Sequence, residues 1–253
     1  MKMTLEEYIK NPMGKENAVF SQRYMFRDLY TDKFAKVMLR EAGELQYRKF
    51  KSGETMYIIH MKIPSEVVPH FFYDVVMQFN STDPAAILSN SLKDYTVKFF
   101  SNDPAFVFTF AYSFNKNNMF ITDLESKMSK QALTDRAVIK NPKSIIGYVK
   151  SIYFAYLYFK NHGFDKKIYW TDAGPYDKNY FLSAIMPADQ KIALREELGA
   201  KEKKAEKKPK VQAGMRSKYN HGGNMVSTSK HFGITKSAAS AKMGRRVKYA
   251  KRK

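Results

Sequence analysis

In four stretches between Leu45 and Ser101 apolar residues recur at every second position. A period of two admits only extended strands with one face turned inward. Leu45 to Phe50, a Ser52-Gly53 turn and Thr55 to Ile63 read as a β-hairpin. In its second strand Tyr57, Ile59, Met61 and Ile63 share a face, opposite Met56, Ile58, His60 and Lys62, and Pro64 ends it. Phe71 to Asn80 predicts a third strand and Tyr95 to Ser101 a fourth. Successive strands with short connections are expected to pair antiparallel.

Helical patterns flank this stretch. Thr4 followed by Glu7 has capping-box spacing and opens a short helix that stops near Asn11-Pro12. From about Glu16 to Glu41, Phe20, Tyr24, Leu29, Tyr30, Phe34, Val37 and Met38 form one apolar stripe, with Thr31-Asp32 as a breaking point. Arg23, Arg27, Lys33 and Lys36 on its polar side read as a solvated face. Residues 105–114 carry two conflicting signals. The alternation of Phe106, Phe108, Phe110, Tyr112 and Phe114 says strand, whereas Asp103-Pro104 is a helix start. Helix is the preferred reading. Ser144 to Asn161, with Gly163 as C-terminal cap, predicts a helix apolar over much of its circumference, buried in the core or between subunits. Residues 164–181 read as an aromatic loop, and a last helix starts near Pro187 and merges into a charge run before Pro209.

The charge is unevenly placed. Residues 201–253 hold seventeen Lys or Arg against two Glu, which is most of the chain's formal +20. Such a block repels itself and lacks the apolar surface to offset ordering entropy, so an extended basic arm is expected after a folded body at 1–200. Its cations suit a polyanion: Lys201, Lys203, Lys204, Lys207, Lys208, Lys210, Arg216, Lys218, Lys242, Arg245, Arg246, Lys248, Lys251, Arg252 and Lys253 are the candidate contacts. Lys mixed with Gly, Ser and Ala points to sequence-independent contact with nucleic acid phosphates. A membrane-surface helix would need a continuous apolar face, and Met225, Phe232, Ile234, Met243 and Val247 are scattered. KKAEKKPK and GRRVKYAKRK also have the composition of nuclear address signals, and a merely solubilising tail is the plainest alternative.

Motifs for chemistry are sparse. The chain has no Cys, which excludes disulfides, thiolate catalysis and Cys-ligated metals and fits a reducing compartment. Neither G-x-x-x-x-G-K-[ST], G-x-G-x-x-G nor G-x-S-x-G occurs, and no two of the five His stand four apart. His60 and His70 read as structural. Among carboxylates, Asp83 and Asp103 precede Pro and read as caps, while Asp123 and Glu125 lie close together. Asp74, within a strand, has no local role and anchors the one enzymatic alternative, a metal-dependent nuclease. Lys166, Lys167, Tyr169, Trp170, Tyr176, Lys178 and Tyr180 interleave cations and rings as single-strand binders do. The preferred reading packs those rings on the sheet or on a neighbouring subunit. Asn80-Ser81-Thr82 is a chance sequon, since MKMTLEEYIK has no leader character. The most apolar segment, Ser151 to Phe159, is far short of the about 20 residues of a spanning helix. A soluble chain without membrane contact is expected.

The Lys-, Asn-, Tyr- and Phe-rich body, the stretches NPMGKENAVF (11–20) and FFSNDPAFVFTFAY (99–112), and the lack of catalytic motifs resemble structural proteins of tailed bacteriophage virions, in the neck, connector or tail. The resemblance carries over no functional residue. It implies a homo-oligomeric ring or tube subunit in a virion assembled in the host cytoplasm, with protein contacts on the body and an arm reaching DNA or a neighbour. The expectation is an α+β fold: N-terminal helices, an antiparallel sheet, a buried helix near 144–161 and a basic arm at 201–253. No enzyme activity and no cofactor are expected.

Overall fold

The period of two is realised as four antiparallel strands: β1 (Gln46–Ser52), β2 (Met56–Pro64), β3 (Phe72–Asn80) and β4 (Thr96–Ser101). The computed structural model describes residues 2–10, 46–65, 67–147, 149–160 and 163–206, without the side chains of Lys10 and residues 202–206. All belong to the first of two units, Met1–Lys208; the second, Pro209–Lys253, lies outside the described residues. So does the helix expected from Glu16 to Glu41.

The β1–β2 register runs from Gln46↔Lys62 to Ser52↔Met56, closed by a turn in which Gly53 takes a φ of 54°. A left-handed residue there favours glycine. β2 pairs with β3 from Met56↔Asn80 to Pro64↔Phe72, and β3 with β4 from Val75↔Ser101 to Asn80↔Thr96. A fifth strand, β5 (Gly174–Pro175), adds to β1 in parallel through Phe50↔Gly174 and Lys51↔Pro175. The sheet order is β4-β3-β2-β1-β5. This parallel edge departs from the antiparallel expectation: a Gly-Pro pair returning from far along the chain carries no periodic signal.

Both sheet faces are covered, so β2 and β3 are buried almost throughout. On one face Tyr57, Ile59, Met61, Val75, Met77 and Phe79 lie under the helix Lys150–Lys160, and the Phe79 and Phe159 rings stack at 5.0 Å. On the other, Phe50 packs edge-on to Phe181 at 5.7 Å and Phe100 to Phe120 at 6.0 Å. The high aromatic content fills these two layers.

Helix α1 (Leu5–Lys10) begins with both halves of the capping box: Thr4 N–H donates to Glu7 Oε2 at 2.8 Å, and Glu7 N–H to Thr4 Oγ1 at 3.3 Å. Leu5 and Tyr8 are buried, and the Tyr8 hydroxyl donates to the Gly147 carbonyl at 2.8 Å. The outer edge of β4 is closed by backbone bonds: Val97 N–H to Met3 O (2.9 Å) and Phe99 N–H to Met119 O (2.8 Å).

After α2 (Pro84–Leu88), residues 104–116 form α3 (Pro104–Thr109) and α4 (Ala111–Lys116), offset at Phe110. The Asp-Pro start prevails: Asp103 accepts from Ala105 N–H at 2.8 Å. Phe106, Phe110 and Phe114, spaced by four, are buried, whereas Phe108 is exposed.

A 3-10 turn (Thr122–Lys127) and α5 (Lys130–Thr134) lead to the helix expected over 144–161. Among the described residues it forms as α6 (Lys150–Lys160), starting later than expected. The Asn141 side chain prevents an earlier start: its Nδ2 donates to the Thr109 and Ile145 carbonyls and its Oδ1 accepts from Ile145 N–H. Gly163 closes the helix as expected, its N–H donating to the Phe159 carbonyl at 2.8 Å. A Cβ on it would fall 2.4 Å from the Phe159 ring, so glycine is required there by close approach. The expected loop at 164–181 contains α7 (Lys166–Tyr169), β5 and α8 (Lys178–Ser183), with Asp165 and Asp177 capping the two helices. Helix α9 (Ala188–Glu206) completes the body.

Candidate nucleic-acid interface: the root of the basic arm

Helix α9 carries the chain from the folded body into the basic arm. Ala188 and Lys191 are buried, and Leu194 and Leu198 pack on a small cluster of Val68, Phe71 and Tyr73. These positions fall on one helical stripe. The helix continues through Gly199, so Lys201–Glu206, the first six residues assigned to the arm, extend α9.

Of the candidate contacts, Lys201 is exposed and pairs with Glu197 at 2.6 Å, one turn earlier. That exposed pair contributes little stability. Lys203 and Lys204 lie on the helix, without described side chains. Lys207, Lys208, Lys210, Arg216, Lys218, Lys242, Arg245, Arg246, Lys248, Lys251, Arg252 and Lys253 lie outside the described residues.

The root of α9 is tied to the sheet by ions. Asp74 on β3 is fully buried. Its Oδ1 lies 2.8 Å from His60 Nε2 and 2.6 Å from Lys62 Nζ, and its Oδ2 accepts from Asn102 Nδ2 at 2.7 Å. Lys191 Nζ stands 4.0 Å from that Oδ2 and 4.8 Å from the centre of the Phe71 ring. Asn102 Oδ1 accepts from Asp74 N–H at 2.7 Å, and Asn102 Nδ2 also reaches the Met186 carbonyl at 3.2 Å. Burial alone pushes the Asp74 carboxyl up, but His60 and Lys62 outweigh it and hold it well below the usual carboxylate range. Burial pushes the Lys191 ammonium down, partly countered by Asp74.

This arrangement corrects the reading of Asp74 as a carboxylate without a local role. Among the described residues no three His, Asp or Glu gather into a metal-ligand set. Both Asp74 oxygens are engaged, and cations already surround the carboxylate that a divalent ion would need. Sequence reasoning missed Asn102, Lys62 and Lys191. Lys62 was within reach, because the β2–β3 register sets it directly opposite Asp74.

The aromatic-basic segment turns its rings into the body. Trp170 is buried beside Tyr57 and Phe159, and its indole N–H donates to the Gly163 carbonyl at 2.8 Å. Lys166 Nζ donates to the Ile87 carbonyl at 2.7 Å. Asp123 accepts from the Tyr176 hydroxyl (2.7 Å) and pairs with Lys178 (2.6 Å), and these two contacts depress its carboxyl. Tyr180 stays half exposed, its hydroxyl held by Arg48 Nη1 at 2.6 Å.

No family model matches the sequence, and neither a curated protein nor a solved structure matches the chain. Among the described residues no helix is long and apolar enough to cross a membrane.

Proposed function

We propose that this chain is a non-enzymatic structural subunit of a nucleoprotein assembly of the tailed-phage virion kind, with protein contacts on its body and sequence-independent nucleic acid contacts on its arm. The observation that carries the reading is the segregation of charge: seventeen cations and two carboxylates follow Ala200. Phosphate neutralisation by such a segment releases counterions and needs no preformed site. The anchoring of α9 through Lys191 and Asp74 supports it by giving the arm a fixed point of departure. Protein contacts of the body are supported by Leu88, Val138, Ile139 and Ile168, which are between 70% and 94% exposed. Burying such side chains against a neighbour is favourable by about 25 cal/mol per Å².

The test compares the full chain with one ending at Glu206, which keeps α9 whole. The full chain is expected to retain duplex DNA. If six to ten of its cations reach phosphates, affinity falls about 10³–10⁵-fold between about 50 and 200 mM salt. Equal retention by the shortened chain, or binding insensitive to salt, overturns the reading. Mass measurement of the full chain is expected to show a homo-oligomer.

A further inference from the structure

Exposed apolar side chains gather at two places on the body. At the first, Val138 and Ile139 stand beside Phe108 of α3. Lys140 Nζ lies 5.9 Å from the centre of the Phe108 ring, and Asn141 Nδ2 donates to the Thr109 carbonyl at 3.1 Å, so this loop and α3 form one surface. At the second, Leu88 ends α2 and Ile168 lies on α7. Lys166 N–H donates to the Asn90 carbonyl at 2.9 Å and its Nζ to the Ile87 carbonyl at 2.7 Å, which ties α2 to α7.

The two surfaces lie at opposite ends of the strands. Helix α3 starts just past Ser101, where β4 ends. Helix α2 follows the end of β3 at Asn80, and Lys166 reaches Glu54 in the β1–β2 turn at 3.7 Å. Their charges are also opposite. Arg136 and Lys140 are exposed beside Ile139, against Asp135. Beside Leu88 and Ile168, Glu54 and Asp172 pair with Lys166 and Lys49. The carboxylate side chains of those pairs are 56% and 67% exposed and the lysine side chains 9% and 6%. Solvent therefore meets the carboxylates there, against the exposed Lys167.

We propose that these surfaces are the two halves of a head-to-tail contact between copies of this chain. Phe108, Val138 and Ile139 of one copy seat on Leu88 and Ile168 of the next, with Arg136 and Lys140 facing Glu54 and Asp172. Charge selects this pairing, because a two-fold contact of either surface with itself would set like charges against each other. Each copy carries both halves, so association proceeds until rotation closes a ring, or as an open filament where it does not close. This contact rests on the homo-oligomer of the proposed function and specifies its surfaces; the arm takes no part in it.

The test measures the mass of the full chain, freed of nucleic acid, as wild type, as Ile139→Asp, as Ile168→Lys and as an equimolar mixture of the two variants. Ile139 and Ile168 are 94% and 78% exposed, so neither substitution disturbs the core. Each places a charge of the repelling sign in its half of the contact. Wild type is expected as an assembly of several copies and each variant alone as a single chain. The mixture is expected to form a dimer that grows no further, since Ile168→Lys keeps the first surface intact and Ile139→Asp the second. Should either variant lose the far-ultraviolet circular dichroism of the wild type, Val138→Asp or Leu88→Lys replaces it. An assembly that survives either substitution, or a mixture that stays monomeric, overturns this contact and leaves the homo-oligomer standing. A wild type of single chains overturns both.

Discussion

At Asp74, burial and charge pull in opposite directions, and the partners win. The carboxylate has His60, Lys62 and Asn102 at hydrogen-bonding distance, with Lys191 just beyond. Its folded carboxyl is held well below the ordinary 3.8. A depressed carboxyl contributes stability that is fully present above the unfolded value and is lost as pH falls through the folded one. The contribution of Asp74 should therefore stay level from neutral pH to about 4 and decline only below that. Asp74→Ala should cost about 3–5 kcal/mol by leaving buried cations uncompensated. Urea unfolding at several pH values checks both. A loss under about 1 kcal/mol, or an acid limb unchanged in the variant, would contradict the account. Half of this cluster was legible: His60 and Lys62 follow from strand register, whereas Asn102 and Lys191 arrive from elements whose placement no local pattern encodes.

Elements were legible where one local signal dominated. The strands followed from alternation. Helix α3 followed from Asp103-Pro104, and the buried Phe106, Phe110 and Phe114 were a helical stripe concealed within an apparent alternation. Legibility failed where a tertiary bond decided. Asn141 holds the chain open before α6, and β5 exists only because Gly174 and Pro175 meet Phe50 and Lys51. Helices α7 and α8 were masked by their aromatic residues, although Asp165 and Asp177 marked their starts. For α9 the body contributes a small patch, Val68, Phe71 and Tyr73, against half-buried Leu194 and Leu198. Leu194→Ala with Leu198→Ala should weaken docking by about 1 kcal/mol each, since about half of a full leucine burial is lost. Hydrogen exchange should then quicken along α9 while the β2–β3 amides keep their protection. Unchanged exchange in α9 would place its anchoring in the Lys191–Asp74 contact alone.

Across the whole molecule, segments distant in sequence close the same layers. Residues 3–4 and 119–121 complete the edge of β4, and Tyr8 lies 4.5 Å from Phe99 and 5.9 Å from Phe114, centre to centre, with its hydroxyl on Gly147. How the arm uses this body was legible only as charge, because a cationic segment specifies a class of partner and no geometry. The stitching of early residues to late ones has a consequence for synthesis. Helix α1 cannot satisfy its Tyr8 hydroxyl until Gly147 has followed it out of the ribosome, and Lys191 must emerge later still to reach Asp74. Limited proteolysis of ribosome-bound chains should find residues 3–8 cleavable until Gly147 is outside the ribosome. Protection in chains that end before Phe114 would refute that order. On this timetable the cationic segment is translated only after the body that carries it has had its chance to close.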